Sequence, residues 1–98
     1  MGQKWRLMGD SEEFGILELV EIDQPWFRCT FTANLSWDRI RGLFEAQASA
    51  VDAKDDRLMM ESITAVRGLN LHLSPIEKGD IISPVMIQIR GDRANFRY

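Results

Sequence analysis

Cysteine and histidine are almost missing from this chain: 98 residues hold one of each, Cys29 and His72. A single cysteine forbids an intramolecular disulfide and fits a reducing compartment. A structural zinc site takes four Cys or His ligands, more than the chain owns. Any Ser-His-Asp or Cys-His arrangement must use His72. The alternation of Phe27, Cys29 and Phe31, set against that of Leu71, His72 and Leu73, points those two side chains to opposite faces. No apolar run approaches the ~20 residues that span a bilayer. The amino end, Met1 to Arg6, lacks the apolar segment of a signal peptide, so a cytoplasmic location is expected. The patterns G-x-x-x-x-G-K-[ST], G-x-G-x-x-G and G-x-S-x-G are all missing. Basic charge is short as well: 12 Lys and Arg face 15 Asp and Glu, a net charge of −3. Global charge therefore does not hold nucleic acid. This inventory implies no catalytic residue, no metal and no cofactor.

What the chain does have is ordinary globular composition, 45% hydrophobic and 28% charged, with no linker or low-complexity tract. A single domain over residues 1–98 is expected. The clearest pattern is at the end. Val85, Ile87 and Ile89 alternate up to Gly91-Asp92, and Ala94, Phe96 and Tyr98 alternate back, a two-residue hairpin. Pairing Arg90 with Arg93 sets Ile89 against Ala94, Ile87 against Phe96 and Val85 against Tyr98. Trp5 and Leu7, a turn at Gly9-Asp10-Ser11-Glu12, and the strand-forming run Glu13 to Ile22 make a first hairpin. Trp26 to Ala33 makes a third strand. Ser36 is the expected N-cap of an amphipathic helical segment carrying Trp37, Ile40, Phe44, Ala48 and Val51. Met59, Ile63 and Val66 resume the period until Gly68, as two helices or one bent helix, with the break near Lys54. Leu69, Leu71 and Leu73 alternate next, and Glu77-Lys78-Gly79 turns the chain into a second meander. The fold class is α+β: a six-stranded antiparallel sheet in the order βββ, helical segment, βββ, with the helices on one face. Phe27, Phe31, Ile40, Phe44, Leu71, Ile87 and Phe96 are expected in the core.

Two surfaces follow. A three-residue turn at Asp23-Gln24-Pro25 pairs Leu19 with Cys29 and Leu17 with Phe31. It leaves Ile16, Val20, Ile22 and Trp26 as an apolar strip on the outer face, a candidate interface for a homodimer or a protein partner. A slip by one residue buries Glu18 instead, and the cost of an unpaired buried carboxylate favours the first register. Arg28, Arg90, Arg93 and Arg97 also fall on the outer face, a candidate site for an anionic ligand or single-stranded nucleic acid. The leading expectation is a non-catalytic binding or regulatory domain acting through protein contacts, with the anion binder as the alternative.

The chain also resembles a group of small, uncharacterised single-domain proteins of actinobacterial genomes. The resemblance lies in Asp23, Pro25-Trp26 and Phe31, in Arg41 with Leu43-Phe44-Glu45, and in Ile87-x-Ile89-x-Gly91-Asp92-x-Ala94-x-Phe96-Arg97-Tyr98. It implies a bacterial cytoplasmic domain and brings no activity, cofactor or partner with it.

Overall fold

A computed structural model describes residues 2–84 and 86–97. Period-2 alternation builds the first three strands, β1 (Lys4–Met8), β2 (Glu13–Asp23) and β3 (Trp26–Ala33). Trp5, Leu7, Leu17, Leu19, Cys29 and Phe31 are buried on one face, while Lys4, Arg6, Glu18, Thr30 and Thr32 are exposed on the other. Leu17 pairs with Phe31 and Leu19 with Cys29, the favoured register, and Glu18 stays in water. Gly15 is required where it stands. A Cβ there would lie 2.6 Å from the Phe31 ring and 2.5 Å from the Thr32 carbonyl oxygen, so its absence is what lets the ring cross β2.

The far end of β2 departs from the expected register. Pairing shifts between Leu19 and Glu21, so Val20 is the extra residue of a β-bulge. Ile22 then lies opposite Phe27 and Asp23 opposite Trp26, and the turn contracts to Gln24-Pro25. Directly opposed residues share a face. Ile22 therefore joins Phe27 on the inner side and leaves the outer strip.

The second half of the chain also pairs differently from expectation. The strands β4 (His72–Pro75), β5 (Met86–Arg90) and β6 (Arg93–Arg97) form no meander. The strand order is β4-β1-β2-β3-β6-β5, which puts β4 and β5 at opposite edges. After the turn the chain returns to β4 only at one bridge, Leu73 with Ile82, and then leaves for the far edge. The last hairpin keeps its predicted register, with Arg90 opposite Arg93, Ile89 opposite Ala94 and Ile87 opposite Phe96. The Val85–Tyr98 pair lies outside the described residues. The sheet is strongly curled. Trp5 on β1 and Phe96 on β6 stand three strands apart, about 14 Å in a flat sheet, yet their ring centroids are 5.3 Å apart.

Two helices close the concave face. Asn34, rather than Ser36, supplies the cap: its Oδ1 accepts from the Ser36 N–H at 2.9 Å while its Nδ2 donates to the Glu13 carbonyl at 2.6 Å. A 3-10 turn, Leu35–Arg39, follows, and α1 runs Arg41–Ala53. The break falls at Lys54, in the left-handed conformation at φ 55°. Asp55 then caps α2 (Asp56–Arg67) by accepting from the Leu58 N–H at 3.1 Å. Phe31, Ile40, Phe44, Ile87 and Phe96 are buried as expected, while Phe27 and Leu71 pack half-buried against the core. Among the described residues, no helix is long and apolar enough to cross a membrane.

Candidate functional site

Curling brings the two sheet edges to one place without joining them. A cleft of about 480 Å³ lies between them, walled by Leu71 and His72 on the β4 side and by Met86 and Ile87 on the β5 side, with α2 closing it through Ile63 and Val66. That volume falls in the ~300–1,000 Å³ range of small-molecule sites. Its mouth carries Arg67, Asn70 and Ser83, all exposed.

Gln47, reaching in from α1, also lines this cleft. It is 2% exposed, and its Oε1 meets no donor among the described residues. Buried side-chain acceptors nearly always have a partner, and each exception calls for an explanation. The helical phase places Gln47 inside: Phe44, Gln47 and Ala50 are the buried residues of α1. Ala48, expected inward, is half-buried. A polar residue three positions after Phe44, in step with the core, is the signal in the sequence for this site.

The candidate arginines do share the outer face. Arg28 lies opposite Asn95, Arg93 opposite Thr30, and Arg90 opposite Arg93. Arg28, Arg90 and Arg93 border one hollow of about 390 Å³, together with the carboxylates Glu21 and Asp92, and Arg97 lies outside it. Two of the four are already engaged. Arg28 Nη2 reaches Asp23 Oδ2 at 2.9 Å, and Arg90 Nη1 reaches Asp52 Oδ1 at 3.1 Å. The candidate interface is divided: Ile22 lies on the side of Phe27 and is itself 45% exposed, while on the outer face Val20 is 55% exposed and Ile16 and Trp26 are half-buried.

Cys29 is buried, and burial pushes its thiol up from 9.0 to about 12, so it is not a thiolate at neutral pH. His72 is on β4, three strands away in the sheet order. Among the described residues, no group of three His, Cys, Asp or Glu converges as a metal site would require. Comparison with known proteins found no matching family model, no similar curated protein and no matching solved structure.

Proposed function

We propose that this protein is a binding domain without catalytic machinery of its own, and that it takes a small ligand into the cleft between the sheet edges. The observation that carries this reading is the cleft itself, about 480 Å³ between the two sheet edges with Ile63, Val66, Met86 and Ile87 among its walls, the size and apolar lining of small-molecule sites. Titration with the apolar dye anilinonaphthalenesulfonate tests the site. Saturable one-site binding is expected in the native protein, and its loss in Ile63→Trp or Met86→Trp, each of which fills the cleft, with circular dichroism unchanged. Equal dye affinity in the filled variants, or no binding to the parent, overturns the proposal.

A second reading has one observation in its favour. Arg93 and Arg97 have no ion pair among the described residues and flank Asn95 on the outer face of β6. On this reading a labelled oligothymidylate binds, its affinity falls steeply as salt rises, and the Arg93→Gln, Arg97→Gln double variant loses it. No binding at low salt ends this second reading.

A further inference from the structure

We infer that the ligand of the cleft is a compact cyclic molecule whose inner end is uncharged and carries a hydrogen-bond acceptor, as a ketone, a lactone or a nitrogen heteroaromatic does. The inference rests on the cleft being the binding site, as proposed above, and adds the chemistry of what enters it.

The Gln47 amide presents its two polar atoms differently. Oε1 is sealed in the wall and meets no donor. Nε2 also has no partner among the described residues, yet it is not sealed with Oε1, so it is the atom of the amide that meets open space. Gln47 borders two hollows. The one toward Gln88 and Arg90 has no room for a water-sized molecule, so Nε2 opens into the cleft. An amide nitrogen only donates. A ligand N–H or ammonium placed against it meets a second donor, whereas a carbonyl oxygen or a ring nitrogen meets its partner.

The walls set the body of the ligand. Ile63, Val66, Leu71, Met86 and Ile87 line the cleft, and its volume of about 480 Å³ suits a molecule of one or two rings. A charge at the inner end has nothing to answer it. Of the 15 acidic residues in the chain, none lines the cleft. Arg67 already has an interaction of its own, and His72 alternates with the buried Leu73, which directs it to the outer side of β4. Burying an unanswered charge costs more than a single hydrogen bond returns. An uncharged acceptor therefore fits the floor of the cleft, and a carboxylate or an ammonium does not.

Three bicyclic probes of nearly one size separate these features: 1-indanone, which accepts, indole, whose N–H donates, and indane-1-carboxylate, which accepts but is charged. NMR on the parent protein follows the side-chain amide protons of Gln47 and the methyls of Ile63, Val66 and Ile87. 1-Indanone is expected to shift both sets saturably. Indole should move the methyls alone, and indane-1-carboxylate should leave the amide protons in place. The ratio of indanone to indole affinity should be roughly fivefold higher in the parent than in Gln47→Met, the worth of one neutral hydrogen bond. Saturable methyl shifts from 1-indanone with the amide protons unmoved overturn the acceptor, as does indole shifting those protons. The carboxylate shifting them at equal or greater affinity than the ketone overturns the uncharged end. If no probe moves the cleft methyls while the dye still binds, the ligand class is wrong and the site stands. If the dye also fails, both fall. The parent protein alone decides among these outcomes, so none depends on a variant folding.

Discussion

Gln47 sets an acceptor without a donor among the apolar side chains of α1. Its neighbours in phase on α1 are the buried Phe44 and Ala50, so an apolar residue of the same shape suits the position better in the empty protein. Gln47→Met is expected to gain about 1 kcal/mol, raising Tm by about 4–8 °C for a chain of this size. An unchanged Tm would mean that the amide is satisfied in solution. Cys29 yields a pH dependence. Its folded thiol ionises near 12, against 9.0 for an unburied one, so the unfolded state loses its proton first. The stability that the buried thiol contributes is complete below pH 9 and is lost as pH rises toward about 12. Urea midpoints measured across that window should fall faster in the parent than in Cys29→Ala.

At the scale of elements, the joint between α1 and α2 shows a local cost. Lys54 occupies the left-handed region at φ 55°, which glycine adopts without a Cβ penalty. Lys54→Gly should therefore stabilise by about 0.5–1 kcal/mol, net of the extra freedom glycine brings to the unfolded chain. Denaturant unfolding measures it, and a loss of stability would mean that the lysine side chain packs usefully. The break itself was legible in the polar run Asp52 to Asp56. The cap at Asn34 was not, because its selection over Ser36 depends on the Glu13 carbonyl, 21 residues away, to which its Nδ2 donates. The Val20 bulge was equally hidden. Strict alternation reads the same with or without an extra residue, and only pairing to β3 reveals it.

For the molecule as a whole, Phe96 joins distant parts of the curled sheet. It is fully buried, edge-on to Trp5 at 5.3 Å and stacked on Phe27 at 5.2 Å. Phe96→Ala should cost about 3–5 kcal/mol, much of the ~5–15 kcal/mol available to a typical domain, and a Tm within a degree or two of the parent would contradict this packing. The outer face predicts an oligomeric state. With Ile22 on the inner side, the apolar residues left there are Val20, 55% exposed, and the half-buried Ile16 and Trp26, in the company of the exposed Glu18 and Thr30. Light scattering coupled to size exclusion at micromolar concentration should give a monomer mass. A dimer that dissociates in Val20→Glu would restore this face as an interface.

The sequence by itself determined the fold class, five of the six strands nearly to their ends, the helical break and the inward face of every strand up to the bulge. Each of these depends on period, turn residues or burial of apolar groups, which act over a few neighbouring positions. Only the tertiary structure decided that β4 and β5 go to opposite edges, because antiparallel partners are chosen among all available edges and the alternation of Leu71 and Leu73 suits β1 as well as it suits β5. The cleft follows from that choice. Gln47, the stretch holding Arg67 and His72, and Met86 are separated along the chain and share a site only because the sheet curls until its two edges face each other across α2.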